Sequence, residues 1–125
     1  MPRSKRPVFL NPMQIQMPVG AWTSIGHRVT GILLTAGVPL GVYFLDRSLQ
    51  SEQTFADVRT VFALMPVKGL ALILLWALSH HLLAGVRHLL TDFNVGSPLR
   101  TARRSAWVVN LGGIAMALLA AGVLL

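Results

Sequence analysis

Three long apolar segments divide the chain, and none of them contains Asp, Glu, Lys or Arg. They cover Val29–Leu45 with 17 residues, Gly69–Val86 with 18 and Ser105–Leu125 with 21. About 20 residues of helix cross the roughly 30 Å of hydrocarbon in a bilayer. In lipid a single segment satisfies its own backbone only as a helix. The pattern therefore predicts an all-α integral membrane protein with three transmembrane helices.

The polar positions around these segments set the expected limits of each element within one domain over residues 1–125. The expected spans are residues 21–46, 66–91 and 104–125. Pro39 lies inside the first of them and predicts a kink. Residues 50–61 are polar and predict a short surface helix. Residues 1–20 hold four prolines and no apolar core of a signal peptide, so we expect an extended arm on the membrane surface.

The basic residues are distributed unevenly between the two sides of the membrane. Eight lie before the first apolar segment or between the second and third segments: Arg3, Lys5, Arg6, Arg28, Arg87, Arg100, Arg103 and Arg104. Three lie between the first and second: Arg47, Arg59 and Lys68. Since positive loops stay in the cytoplasm, we expect a cytoplasmic N-terminus and a periplasmic C-terminus in a bacterial cytoplasmic membrane.

Composition narrows the chemistry that such a protein can perform. The chain is 54% hydrophobic and 12% charged, and it has no cysteine. Disulfides, thiolate metal sites, iron–sulfur ligation and covalent c-type haem are therefore excluded. Its net charge of +7 would suit nucleic acid, but the basic residues flank apolar segments instead of forming a stripe. We expect contact with lipid and no nucleic acid.

Histidines inside the second span are the strongest functional signal. His80 and His81 lie within the apolar segment, where an ionisable side chain is rarely found without a function. His81, Gly85 and His88 share one helical face at i, i+4 and i+7, and the glycine leaves room for a flat ligand such as a haem. A histidine inside a membrane often forms only a hydrogen bond between helices, and the spacing alone is compatible with that role too. His80 points about 100° away, so both imidazoles cannot serve one iron.

A second polar cluster lies at the start of the first span. Ser24 and Arg28 are at i and i+4, with His27 between them on the same side. The hydroxyl could donate to a quinone carbonyl, and the guanidinium could stabilise negative charge as the quinone is reduced. The same residues are also compatible with a helix cap and an arginine that reaches the lipid phosphates.

Together the two clusters resemble the cytochrome b subunit family of succinate dehydrogenase, the membrane anchor of respiratory complex II. The segment RPVFLNPMQIQMPVGAWTSIGHRVTGILL carries that family's Ser-x-x-His-Arg-x-[Ser/Thr]-Gly motif. HLLAGVRHLLTDF carries its second signature, His-x-x-x-Gly-x-Arg-His-x-x-x-Asp. Both motifs occur in order, and the resemblance covers nearly the whole chain.

The resemblance implies a role for each matching position. His81 corresponds to an axial ligand of haem b, with the second axial histidine supplied by a partner subunit. Ser24 and Arg28 correspond to residues of the ubiquinone site. His27, Arg28 and His88 correspond to positions near the haem propionates. His80 has no counterpart in the pattern.

The resemblance also implies an assembly. A flavoprotein subunit with FAD would oxidise succinate, and an iron–sulfur subunit would pass electrons to ubiquinone at its junction with the membrane. This chain would form a helical bundle with a second small anchor subunit and would hold no complete active site; the whole could form a trimer of heterotetramers.

Three alternative functions remain. The chain could be the anchor of a fumarate reductase-type quinol enzyme or a non-redox membrane scaffold. It could also be a two-haem membrane cytochrome b, but it has too few histidines for two haems.

Overall fold

The computed structural model describes residue 11 and residues 14–125, and the chain there forms four α-helices. They are α1 (Val19–Gln50), α2 (Glu52–Ala63), α3 (Met65–Asp92) and α4 (Leu99–Leu124). The predicted surface arm over residues 1–20 lies mostly outside the described residues. The part of it that is described contains one turn, where the amide of Gln14 donates to the carbonyl of Asn11 over 3.0 Å, before α1 begins at Val19.

The three long helices are apolar and long enough to cross a membrane, which confirms the predicted fold class. Each begins before the expected span, and α1 and α3 also end beyond it. The 32 residues of α1 span about 48 Å, more than the hydrocarbon alone, and the helix continues through Pro39. α4 starts at Leu99 after Pro98, so its first turns contain the arginines that precede the apolar segment.

The short helix α2 connects the first two spans and begins at a capping box. The Ser51 hydroxyl accepts from the amide of Thr54 over 3.1 Å, and the Thr54 hydroxyl accepts from the amide of Ser51 over 3.0 Å. Both helix-starting amides are thereby satisfied. Most of its residues are exposed, as expected for a surface helix at this position in the sequence.

Small side chains bring the three long helices close together. Ala77 and Ala84 of α3 and Ala106 of α4 are fully buried, and Gly113 of α4 is buried beside them. Membrane helices associate through such small residues because they let backbones approach, while large apolar side chains gain nothing by leaving lipid. Accordingly, large residues such as Leu82 and Val123 are 63% and 87% exposed on the outside of the bundle.

Arg87 joins the helices at the end of the bundle where α1 begins. Its Nε donates to the Ser105 hydroxyl over 3.1 Å, and its Nη2 donates to the Ala102 carbonyl over 3.3 Å. A Cβ built on Gly20 of α1 would lie 3.6 Å from the same Nη2. The guanidinium therefore connects α3 to α4 directly beside α1, and it helps to hold the histidine-bearing part of α3 against both neighbours.

Candidate functional site

His81 is held by α1 through one ring nitrogen. Its Nδ1 lies 3.0 Å from the carbonyl oxygen of His27 and 3.2 Å from the Thr30 hydroxyl. A carbonyl only accepts, so Nδ1 carries the proton and Nε2 is left as the nitrogen with a lone pair. The Thr30 hydroxyl is itself oriented by donating to the Gly26 carbonyl over 2.8 Å. This is the arrangement typical of a metal-binding histidine, whose second nitrogen donates to a backbone carbonyl.

Two further imidazoles gather beside His81. The ring of His27 stacks on it with centroids 4.1 Å apart and planes 16° apart, and the ring of His88 lies 5.1 Å from that of His27. A groove of about 410 Å³ opens over them, lined by His27, His81, Leu82, Gly85, Val86, His88 and Leu89. The i, i+4, i+7 face of α3 therefore forms one site together with a histidine of α1.

Gly85 matters to this groove because of what a side chain would do there. A Cβ at this position would stand 3.7 Å from His27 Nε2, so any larger residue would fill space between His81 and His88. On the other side, a Cβ at Gly31 would come to 3.1 Å from His81 Cε1. Glycines on two helices thus leave the His81 ring room at its edge and leave the groove open along α3.

The donor set fits a haem better than a bare metal ion. Within the residues that the structure describes, no group of three histidine, aspartate or glutamate side chains could hold a metal ion. A haem would bring four porphyrin nitrogens to its iron, so this chain would need to supply only one imidazole. One imidazole with a free Nε2, next to an open groove and two further ring donors, meets that requirement.

His80 lies in a different environment from its neighbour. It is 4% exposed, and its Nε2 lies 3.1 Å from Asn110 Oδ1 of α4. A Cβ on Gly26 of α1 would come to 2.7 Å from its Cε1, and one on Gly113 of α4 would come to 3.1 Å from its Cβ. The ring fills the space between the two helices and leaves no room for a porphyrin against it.

Ser24 and Arg28 are on α1 but outside this cluster. Ser24 is half-buried and Arg28 is exposed, and they lie one helical turn apart. Among the described residues, neither side chain has a hydrogen-bond partner. The structure therefore brings together His27, His81 and His88, and it leaves the hydroxyl of Ser24 and the guanidinium of Arg28 available to a ligand or a partner subunit.

Three polar residues at the helix contacts were not singled out from the sequence. They are Thr30, which touches His81, and Thr23 and Asn110, whose side-chain oxygens lie 3.2 Å apart. Asn110 has the only side-chain amide inside the third apolar segment. Because lipid offers no hydrogen bonds, such a group needs a partner within the protein. The two threonines are seven residues apart and so share one helical face. The sequence contains both features, the lone Asn110 and the spacing of the two threonines, but neither feature predicts which helix lies next to these residues.

Comparison with known proteins assigns the chain to a family. Residues 2–121 match the model of the succinate dehydrogenase/fumarate reductase transmembrane subunit family. The chain is 33% identical over 121 residues to the succinate dehydrogenase cytochrome b556 subunit of Paracoccus denitrificans, covering 94% of this chain and 90% of that one. It is 36% identical over 107 residues to the subunit of the same name from Coxiella burnetii, covering 85% and 86%. These matches confirm the resemblance seen in the sequence. The chain therefore belongs to the succinate dehydrogenase/fumarate reductase transmembrane subunit family, as a multi-pass membrane subunit of an oxidoreductase complex.

Proposed function

We propose that this chain anchors a succinate dehydrogenase in the membrane, holds one side of a haem b and forms part of its ubiquinone site. The observation that carries the proposal is the hydrogen bond from His81 Nδ1 to the His27 carbonyl, 3.0 Å long. It fixes the ring and its tautomer and leaves Nε2 for iron. The names of the two relatives, both cytochrome b556 subunits, support haem b as the group bound.

His81 would hold the iron through Nε2, and a histidine of the partner anchor subunit would supply the other protein ligand. When bound, haem b supplies a one-electron redox centre. The imidazoles of His27 and His88 line the same groove as His81, where they can donate hydrogen bonds to propionates. Arg28 follows His27 in the sequence and does not line the groove, and its positive charge would attract the propionates from outside the cluster.

Ser24 and Arg28 would act on ubiquinone. A hydroxyl at the membrane boundary can donate to one quinone carbonyl, and an arginine one turn away can stabilise the negative charge that develops on reduction. Such charge is stabilised most in a low-dielectric site. The absence of a partner for either side chain among the described residues supports this role.

The rest of the complex would follow the family. An iron–sulfur subunit would deliver electrons from a flavoprotein with FAD, and a second small anchor subunit would complete the bundle; complexes of this kind could associate as trimers.

The eight-to-three distribution of basic residues supports a cytoplasmic N-terminus and a periplasmic C-terminus in a bacterial cytoplasmic membrane. The family model also covers fumarate reductase, but both relatives are named for succinate dehydrogenase, which favours that direction.

The proposal is tested by purifying the complex through a tag on this chain. We expect a flavoprotein, an iron–sulfur protein and a second small membrane protein to co-purify. We also expect a reduced-minus-oxidised spectrum with the sharp α band of a low-spin b-type haem. A complex without haem would refute the haem role, and purification without a flavoprotein would refute the assignment to succinate dehydrogenase.

The quinone role is tested separately in the same complex. Ser24→Ala should lower succinate:ubiquinone reductase activity roughly tenfold through a lost hydrogen bond, and Arg28→Leu roughly 100-fold. Succinate oxidation with an artificial soluble acceptor should persist in both. Thr35→Ala is the matched control, because the Thr35 hydroxyl is exposed and donates within α1 to the Gly31 carbonyl. Equal loss of both activities would mean failed assembly and would remove the support for a quinone role.

A further inference from the structure

A buried polar network at the centre of the bundle joins all three long helices. His80 Nε2 of α3 lies 3.1 Å from Asn110 Oδ1 of α4, and the Thr23 hydroxyl of α1 lies 3.2 Å from the same oxygen. The Thr23 hydroxyl also lies 3.0 Å from the Val19 carbonyl and 3.5 Å from the Ala106 carbonyl. One amide oxygen of α4 thus connects side chains from the two other helices.

The chemistry of the network defines the state of His80. Asn110 Oδ1 accepts, so His80 carries its proton on Nε2, opposite to the tautomer of His81. His80 Nδ1 is the one buried side-chain polar atom without a hydrogen-bond partner in the part of the chain that the structure describes. An apolar residue of similar size would avoid that penalty. Interhelical hydrogen bonds in membranes stabilise only modestly, which points to a geometric role for the imidazole.

The packing around His80 restricts the rotation of α3 about its own axis. His80 lies between Gly26 and Gly113, where built Cβ atoms would come to 2.7 Å from its Cε1 and 3.1 Å from its Cβ. His81 follows it on the same helix about 100° further round. Any rotation of α3 that displaced His80 from this position would turn the His81 ring away from the His27 carbonyl by the same angle.

We propose that His80 is a positioning residue, whose bond to Asn110 sets the rotation of α3 and thereby directs His81 Nε2 toward the haem iron. This inference rests on the proposed haem ligation by His81. It explains why adjacent histidines occur in this span although only one faces the groove. His80 would act on the iron through the backbone of α3, because its ring is buried between helices and does not line the groove beside His81.

The test uses the purified complex and variants that break the bond from either side. His80→Leu and Asn110→Leu should each shift the low-field EPR g value and the midpoint potential of the haem. Each should also release haem in detergent about tenfold faster, as is typical when a residue supporting a ligand is lost. The double variant should show no more than either single variant, because both remove one bond. His80→Gln, which keeps a donor within reach of Asn110, should recover part of the wild-type behaviour.

Ser79→Ala is the matched control on α3, since the Ser79 hydroxyl donates within its own helix to the Leu75 carbonyl over 2.8 Å. Asn110→Leu leaves the imidazole between the two glycines, so it still tests the proposal if the His80→Leu complex does not assemble. Variants that reduce yield but keep the wild-type g value, potential and haem release would make His80 merely structural and overturn the inference. Additive effects in the double variant would overturn it as well. A wild-type complex that lacks low-spin haem would instead refute the proposed function itself.

Discussion

At the scale of single residues, the Thr30 side chain contacts His81, and no role has yet been proposed for it. Its hydroxyl lies 3.2 Å from His81 Nδ1 while it donates to carbonyls of its own helix. The N–H group at His81 Nδ1 therefore has two acceptors, the Thr30 hydroxyl oxygen and the His27 carbonyl oxygen. Hydrogen bonds at this nitrogen raise the basicity of an imidazole ligand, and a more basic ligand favours ferric over ferrous iron.

Thr30→Val should consequently raise the haem midpoint potential while haem remains bound, because valine keeps the shape and removes the acceptor. Thr30→Ser should behave like the wild-type protein. Redox titration of the purified complex measures the change, and Thr35→Val, a change at an exposed position on the same helix, is the control. An unchanged potential in Thr30→Val would show that the His27 carbonyl alone orients His81.

At the scale of helices, apolar length and helical periodicity predicted the three spans and the shared face of His81, Gly85 and His88. They did not predict which helix that face meets, because a periodic pattern carries no information on the neighbour. The Gly37-x-x-x-Gly41 spacing in the first span, a pattern found where membrane helices approach closely, illustrates the limit. A Cβ at Gly37 would come to 2.5 Å from Leu74 of α3, whereas nothing lies within 4 Å of one at Gly41.

Gly113 of α4 lies at the contact with α3, and a side chain at this position would project into that contact. A Cβ would lie 3.1 Å from His80 Cβ and 3.4 Å from its Cα, and backbone cannot easily move away. Gly113→Val should therefore destabilise the bundle by about 1–3 kcal/mol, as overpacking usually does. Gly122→Val is the control on the same helix, since its Cβ would meet nothing within 4 Å. Thermal unfolding of the purified complex compares them, and equal melting temperatures would contradict the close approach of α4 to His80.

At the scale of the whole molecule, the family and the fold class could be predicted from the sequence, because motif spacing and apolar length are both local properties. The separate environments of His80 and His81 could not. The motif favours His81 as the ligand, whereas the burial of His80 against Gly26, Asn110 and Gly113 comes from two other helices. Such contacts depend on how three helices pack, and this is a property of no single segment.

Membrane topology is a whole-molecule prediction that the chain makes easy to test. It has no cysteine, so single cysteines can be placed without a background from this subunit. A thiol reagent that does not cross the membrane should label Gln53→Cys from the periplasm in intact cells. It should label Ser97→Cys only after the cells are opened, since both positions are exposed and lie on opposite sides. The reverse pattern would contradict the predicted orientation.

EPR of the oxidised complex carrying His81→Ala distinguishes His81 from His80 as the proposed ligand of the haem iron. The substitution leaves a space next to the groove that free imidazole can enter. If His81 binds the iron, the low-spin haem signal should disappear in this variant and return when imidazole is added. A low-spin signal that is unchanged in His81→Ala without imidazole would contradict ligation by His81.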